Sequence, residues 1–161
     1  MKIIYSNKNL LFRRVEKLRL KKKTIGLCHG CFDILHWGHL LHFKNAKKKC
    51  DFLIVSITSK KYVNKGPGRP IFNDKQRLLT LSEIKSIDAL IINNKKNSLD
   101  LIKKIKPNFY FKGKEYKPLN QKINNNFFLE KKCVNQNYGK VIFTNDRAYS
   151  TSKIIKKILE L

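Results

Sequence analysis

The sequence reads TIGLC at Thr24–Cys28, GCFDILHWGH at Gly30–His39 and DFLIVSI at Asp51–Ile57. The first and the last of these segments contain short apolar runs, which are typical of parallel strands buried on both faces of a sheet. Between them a helical pattern starts near Gly38 and continues to Lys49. A strand, a helix and a second strand within about thirty residues make a βαβ unit, so this stretch predicts an α/β fold.

The same alternation of strands and helices continues on both sides of the βαβ unit. It predicts one Rossmann-like, doubly wound domain over residues 1–161, with a five-stranded parallel sheet between two helical layers. An N-terminal amphipathic helix within residues 1–23 is expected to be appended to this domain. The remaining strands are predicted at 88–92, 108–112 and 140–144, and the remaining helices at 73–84, 98–104, 118–137 and from Ser150 to the end.

The composition fits a globular protein of the cytosol. Hydrophobic residues make up 42% of 161 residues, which is enough for a core. We find no apolar run near the roughly 18–20 residues that a membrane helix needs. The segment Met1–Asn7 lacks the apolar stretch and the cleavage site of a signal peptide. We therefore expect a cytoplasmic protein with no membrane partner.

The formal net charge of +25 raises the alternative of a non-catalytic nucleic-acid-binding module. The lysines are scattered along every segment and form no single patch or tail, which favours a general bias of composition. We find no recognisable RNA- or DNA-binding signature, and the aromatic residues are not interleaved with basic residues in one region. We therefore expect no nucleic-acid partner, and we expect the positive field to attract anionic small molecules.

The segment Gly30–His39 carries the strongest chemical signal. It lies where a predicted strand ends and a helix begins, the usual ligand position in open α/β sheets. A helix N-terminus offers unpaired N–H groups and the positive end of a dipole, both of which suit a phosphate. Gly38 lets the backbone approach the ligand. The flanking His36 and His39 are three residues apart, so both can point at one phosphate group.

The same region contains two rival patterns. Cys28, Cys31, His36 and His39 have spacings that occur in zinc sites, and the two cysteines alone form a C-x-x-C pair typical of redox centres. Both alternatives are disfavoured because Cys28 falls inside a predicted strand, whereas the histidines lie beyond the following turn. A stoichiometric zinc content of the purified protein would reverse this preference.

The segment Gly30–His39 resembles the HxGH signature of the cytidylyltransferase-like nucleotidyltransferases. Within that family, Lys65–Ile71, the pair Gln76-Arg77, Phe111–Tyr116 and Ser150–Ile155 are similar to segments of heptose 1-phosphate adenylyltransferases. The similarity covers nearly the whole chain. It implies transfer of NMP from a nucleoside triphosphate to a sugar phosphate with release of pyrophosphate, with ATP and heptose 1-phosphate as the expected pair.

Some positions depart from that pattern. Lys114 and Glu115 replace a glycine and an aspartate of the adenylyltransferase motif, and Ala148-Tyr149 replaces the glycine that usually precedes the Ser150 segment. Trp37 is more typical of glycerol 3-phosphate cytidylyltransferases. A CTP-dependent enzyme acting on glycerol 3-phosphate or a similar polyol phosphate therefore remains an alternative.

The resemblance also implies site residues, a cofactor and partners. Mg²⁺ is expected to accompany the triphosphate without protein side chains as ligands, and a homodimer is expected. Whether a separate sugar kinase supplies the acceptor is left open by the sequence. The implied catalytic residues are His36, His39 and Lys65; the nucleotide-binding residues are Gly30, Cys31, Phe32, Gly38, Lys112, Gly113, Ser150 and Thr151; the substrate-binding residues are Asp33, Lys65, Arg69, Arg77 and Tyr116.

Overall fold

The computed structural model describes residues 3–116, 125–144 and 151–160. These residues form strands and helices in regular alternation. The strands are β1 (Ile3–Tyr5), β2 (Ile25–Gly30), β3 (Phe52–Thr58), β4 (Ala89–Asn93), β5 (Phe109–Gly113) and β6 (Lys140–Thr144). The helices are α1 (Lys8–Leu20), α2 (Trp37–Lys47), α3 (Asp74–Ser82), α4 (Leu99–Ile105), α5 (Asn125–Gln136) and α6 (Thr151–Leu159).

Within the described residues, the strands form one parallel sheet in the order β1-β4-β3-β2-β5-β6. The chain enters the sheet centre with β2, moves outward through β3 and β4, and then returns to place β5 on the other side of β2. The reversal point lies between β2 and β5, where an open α/β sheet leaves a crevice for ligands. The predicted Rossmann-like architecture is confirmed.

The predicted number of strands was wrong, because the described sheet has six strands where the sequence indicated five. The additional strand is β1, which pairs in parallel with β4 and places Ile4 opposite Leu90. Three residues are too few to show an apolar pattern of their own. Their strand conformation depends on hydrogen bonds to β4, a long-range contact that sequence periodicity does not reveal.

The helix ends differ from the prediction where the backbone has a local reason to stop. The first helix was predicted to continue to Lys23 but ends at Leu20, and Lys22 follows in the left-handed region with φ of 55°. The helix predicted over 118–137 is described as Asn125–Gln136, and residues 118–124 lie outside the described residues. Ser150, the predicted cap of α6, also lies outside them.

Each face of the sheet carries its own hydrophobic core. One core packs α1, α4 and α5 against the sheet, and the other packs α2 and α3. Successive side chains of β2 point to opposite faces of the sheet, so Leu27 packs in the first core and Cys28 in the second. The carboxyl ends of β2, β3 and β5 therefore emerge together between two helical layers. Among the described helices, none has both the length and the apolar character to cross a membrane.

Candidate active site

The two histidines of the HxGH segment meet at the start of α2. His36 is the N-cap, with extended backbone angles of φ −140° and ψ 168°, and His39 lies in the first turn. Their rings stack with centroids 3.9 Å apart and an interplanar angle of 26°. Gly38, between them, is buried. The structure thus brings the two predicted catalytic imidazoles together at the positive end of a helix dipole.

The ring of Phe32 packs against the ring of His39. Its backbone is left-handed with φ of 47°, and its ring meets the ring of His39 edge to face at 5.5 Å. Gly30 is needed for the same arrangement, because a Cβ at this position would lie 2.9 Å from Cζ of Phe32. The structure therefore assigns Phe32 and Gly30, both predicted to bind nucleotide, a role in holding the histidine.

Both histidines are neutral at pH 7. Burial, together with electrostatic repulsion from His36, His42 and Lys65, lowers the pKa of His39 to about 3. Burial also lowers the pKa of His36. A neutral imidazole carries one N–H donor, so each ring can offer one hydrogen bond to a phosphate oxygen without an ionic charge.

Asp33 fastens the loop between β3 and α3. Its carboxylate accepts hydrogen bonds from Nε of Arg69 at 2.9 Å and from the backbone N–H groups of Ile71 and Phe72, each at 3.0 Å. Burial alone would raise the pKa of Asp33, but these hydrogen bonds outweigh burial and lower it. The side chain is only 1% exposed. The structure thus shows Asp33 positioning the loop, and its contact with substrate stays a prediction.

Arg69 donates to Asp33 through Nε but leaves another part of its guanidinium without a partner. Its Nη2 is buried and has no hydrogen-bond partner among the described residues. A buried donor without a partner is costly, and an anionic oxygen would satisfy it. The structure thus agrees with an anion-binding role for Arg69.

Arg77 does not reach the surface of the site. The residue is 1% exposed, and its Nη1 donates to the carbonyl oxygens of Cys31 at 2.6 Å and Thr58 at 2.9 Å. Its Nη2 donates to Asp74 at 2.6 Å. With these donors occupied, Arg77 links the segment after β2 to the end of β3. The structure shows Arg77 in this internal link, and its direct contact with substrate stays a prediction.

A cavity of about 320 Å³ opens at the carboxyl ends of β2, β3 and β5, and neither His36 nor His39 belongs to its lining. The predicted residues Gly30, Cys31, Lys65, Lys112 and Tyr116 all contribute to its walls. The side chains of Lys65 and Lys96 are exposed, whereas those of Lys112 and Glu130 are buried. The full lining comprises His29, Gly30, Cys31, Thr58, Tyr62, Val63, Asn64, Lys65, Lys96, Lys112, Tyr116, Asn126, Phe127 and Glu130.

Lys65 connects this cavity to the histidines. It lines the cavity, and its positive charge acts on both His39 and Cys31, opposing the effect of burial on the Cys31 thiol. The exposed Lys65 can therefore reach an anion held between the two parts of the site. This position is compatible with the predicted bridging role.

Lys112, predicted to bind nucleotide, is committed inside the protein. Its Nζ lies 3.2 Å from Oε2 of Glu130 and 4.9 Å from the ring centroids of both Tyr110 and Tyr116. Sequence reasoning missed Glu130. The available signal was the spacing of Phe127, Glu130 and Val134, which places an acidic residue on the buried face of α5.

For the remaining predicted site residues, only their positions in the chain are relevant. Gly113 ends β5 beside Lys112, and Thr151 is the first residue of α6, whereas Ser150 lies outside the described residues. The four cysteines are buried and unpaired. In the described ranges, no group of three His, Cys, Asp or Glu side chains is arranged to hold a metal ion.

Comparisons with known proteins show the family of the chain. Residues 27–157 match the Cytidylyltransferase-like family. The chain is 33% identical over 148 residues to Bifunctional protein HldE of Helicobacter pylori (strain P12), which covers 89% of this chain and 30% of that protein. It is 32% identical over 150 residues to Bifunctional protein HldE of Nitrobacter hamburgensis, which covers 91% of this chain and 29% of that protein. The chain thus spans less than a third of these curated relatives.

Two solved structures share the fold. A lipopolysaccharide core biosynthesis protein from Thermoplasma volcanium GSS1 aligns with a TM-score of 0.61 and 26% identity, over 80% of this chain and 99% of that one. A pantoate-beta-alanine ligase from Francisella tularensis also aligns with a TM-score of 0.61, over 100% of this chain and 79% of that one, but its 19% identity supports likeness of fold alone. Since the family match spans most of the sequence and includes the stacked histidines of the HxGH segment, the chain belongs to the cytidylyltransferase-like family of nucleotidyltransferases.

Proposed function

We propose that this domain transfers an NMP unit from a nucleoside triphosphate to a sugar phosphate and releases pyrophosphate, with ATP and heptose 1-phosphate as its substrates. The observation that carries the proposal is the stacked pair His36 and His39 at the start of α2, and the unpartnered Nη2 of Arg69, on the loop that Asp33 holds, adds a donor for an anion. The likeness to the HldE proteins supports the adenylyl form of the reaction.

The reaction needs positioning and charge stabilisation more than acid–base chemistry. A phosphate oxygen of the acceptor is already anionic at neutral pH and can attack the α-phosphorus directly. The neutral His36 and His39 would donate hydrogen bonds to the nucleotide phosphates as negative charge builds. Lys65 would neutralise the α-phosphate and the acceptor phosphate together, and Arg69 would hold a further phosphate oxygen.

Mg²⁺ belongs to the proposal as the companion of the triphosphate. When bound, it would neutralise part of the phosphate charge. Both carboxylate oxygens of Asp33 already accept hydrogen bonds, so the ion would be held by the phosphate oxygens of the nucleotide.

The test is pyrophosphate release with Mg²⁺, crossing ATP and CTP against heptose 1-phosphate and glycerol 3-phosphate. Turnover with ATP and heptose 1-phosphate, lost in a His36→Ala/His39→Ala double variant, would support the proposal. Turnover restricted to CTP and glycerol 3-phosphate would move the enzyme to the polyol phosphate class. The absence of turnover in all four combinations would contradict the assignment of substrates.

A further inference from the structure

The two central strands of the sheet stop pairing with each other before they end. In the described sheet, the pairing of β2 with β5 reaches Cys28, which lies opposite Phe111. Both strands continue for two residues beyond that point, but β2 stays paired with β3 through Gly30 and β5 stays paired with β6 through Gly113. The carboxyl end of the sheet is thus divided into a β2–β3 side and a β5–β6 side, and we call the opening between Gly30 and Gly113 the strand gap.

Helix α2 reaches from one side of the strand gap to the other. It connects β2 to β3, and its residues Phe43 and Ala46 pack into the core that it shares with these strands. The same helix also lies against β6. Because His36 and His39 are at its start, the position of α2 relative to β6 determines where the histidine pair stands with respect to the β5–β6 side.

His42 and Thr144 make a contact across the strand gap. Nδ1 of His42 lies 2.7 Å from Oγ1 of Thr144, the last residue of β6. The Thr144 hydroxyl donates in turn to the backbone carbonyl oxygen of Lys112 in β5, over 3.4 Å. A hydroxyl has one proton, so we assign the proton of the shorter contact to the imidazole. These groups form a chain from α2 through β6 to β5, which we call the His42–Thr144 clasp.

The surroundings of the clasp make it able to restrain the helix. Thr144 is 5% exposed and His42 is half-buried, so water competes little for the hydrogen bond between them. His42 follows His39 by three residues, and residues with this spacing lie on the same side of a helix. A hydrogen bond at His42 therefore restrains the part of α2 that carries His39.

We propose that His42 is a positioning residue for the nucleotide, because its hydrogen bond to Thr144 fixes the distance between the histidine pair on α2 and the β5–β6 side of the strand gap. This inference rests on the proposed function, in which His36 and His39 donate to the nucleotide phosphates. A distance that is fixed before binding lowers the cost of ordering the bound state. A small misplacement of the donors would also slow the reaction.

The test measures the Kd of ATP and of CTP with Mg²⁺ by isothermal titration calorimetry, together with the KM values of nucleotide and acceptor. Thr144→Val keeps the shape of the side chain but removes the hydroxyl, so Kd and KM for the nucleotide should rise by roughly tenfold. The KM for heptose 1-phosphate should keep its wild-type value, because the clasp acts on the residues that hold the nucleotide. Thr144→Ser restores a hydroxyl at this position and should recover the nucleotide affinity.

His42→Leu should weaken nucleotide binding as much as Thr144→Val does. The double variant should be no worse than the weaker single variant, because both changes break the same hydrogen bond. Thr80→Val is the matched control, since it makes the same chemical change at an exposed position of α3, where the hydroxyl donates to Gln76 of its own helix. It should leave the nucleotide Kd unchanged.

The inference is overturned if Thr144→Val unfolds in urea as the wild type does and keeps the wild-type Kd. It is also overturned if Thr144→Ser binds nucleotide as weakly as Thr144→Val, or if the losses of the two single variants add in the double variant. One measurement needs no variant to fold: nuclear magnetic resonance of the wild type with isotope-labelled histidine should show a proton on Nδ1 of His42. An Nδ1 without a proton would contradict the clasp.

Nucleotide binding without acceptor separates this inference from the proposed function. A loss of affinity in Thr144→Val that Thr144→Ser restores would support the clasp even if pyrophosphate release were absent, and the absence of release would contradict the proposed reaction alone. Wild-type turnover with an unchanged nucleotide KM in Thr144→Val and His42→Leu would support the reaction and overturn the clasp. A wild type that binds neither ATP nor CTP would overturn both.

Discussion

The imidazole of His39 is held from two sides, by the stacked ring of His36 and by the edge of Phe32. Such fixation removes rotamer freedom before any ligand arrives. Donors that are preorganised in this way contribute more to a transition state than donors that must first be ordered. We therefore expect substitution of His39 to affect turnover more than the free energy of unfolding.

His39→Ala should lower kcat by roughly 10²–10³. Steady-state pyrophosphate release measures the effect, and far-ultraviolet circular dichroism checks that α2 is intact. Leu40→Ala is the control, because Leu40 is the next residue on the same helix and its side chain is exposed. A His39→Ala enzyme with wild-type turnover would remove this residue from the proposed mechanism.

The carboxylate of Asp33 holds the loop from Ser59 to Asn73 in position. Asp33 accepts three hydrogen bonds from its final part, whereas residues 64–68 are exposed. Asp33→Asn replaces one acceptor oxygen by an NH₂ group and removes the negative charge beside Arg69. The loop should therefore detach locally while the sheet remains folded.

We expect Asp33→Asn to accelerate tryptic cleavage of the Lys65–Gly66 bond several-fold, because proteases cut locally opened segments. Limited proteolysis followed by mass spectrometry measures this rate. Asp100→Asn removes a carboxylate that is 63% exposed and should leave the cleavage rate unchanged. Equal rates in both variants would mean that Asp33 does not fasten the loop.

Helix α3 is coupled to the strand ends through Arg77. This guanidinium binds two carbonyl oxygens and Asp74 from a fully buried position. Arg77→Met keeps much of the volume but leaves the carbonyls of Cys31 and Thr58 without that donor. The free energy of unfolding should fall by about 3 kcal/mol, as for other broken buried polar networks.

Urea denaturation measures the loss in Arg77→Met, and Lys75→Met on the exposed side of the same helix serves as the control. A loss below about 0.5 kcal/mol, the range of ordinary surface substitutions, would show that Arg77 is not a structural link.

At the scale of the whole molecule, two partly buried histidines link stability to pH. The folded-state pKa values are about 4 for His29 and about 3 for His39, both below the usual value of 6.5. Below pH 6.5 the unfolded chain binds protons that the folded chain does not, so stability falls with decreasing pH. Between pH 7 and pH 5 each histidine should cost on the order of 1–2 kcal/mol.

Urea unfolding at pH 7 and at pH 5 tests this dependence. His29→Gln should reduce the loss of unfolding free energy between the two pH values by the contribution of one histidine, about 1–2 kcal/mol. A stability that is the same at both pH values, or a loss unaffected by His29→Gln, would mean that the imidazole of His29 remains accessible to protons in the folded protein.

Local patterns predicted most of the fold, and long-range contacts explain what they missed. The apolar run Asp51–Ile57 predicted β3 to within a residue at each end, because a strand buried on both faces needs no partner to be recognised. Strand β1 could not be predicted in the same way, since its three residues depend on pairing with β4.

The site was predicted unevenly for a related reason. The HxGH segment is continuous in sequence, so the pairing of His36 with His39 could be anticipated and is found. Whether a charged residue faces a ligand or another side chain depends on partners distant in the chain. Arg77 binds Cys31, and Lys112 pairs with Glu130, so both proved more internal than their sequence context indicated.

The four buried cysteines have a practical consequence. Burial raises the pKa of each thiol, which suppresses the thiolate that reacts with maleimides. The four native cysteines should therefore react slowly with maleimides and interfere little with labelling at an introduced cysteine. A cysteine introduced at the exposed Pro67 would take up a single fluorophore, and its emission could report when the neighbouring cavity fills.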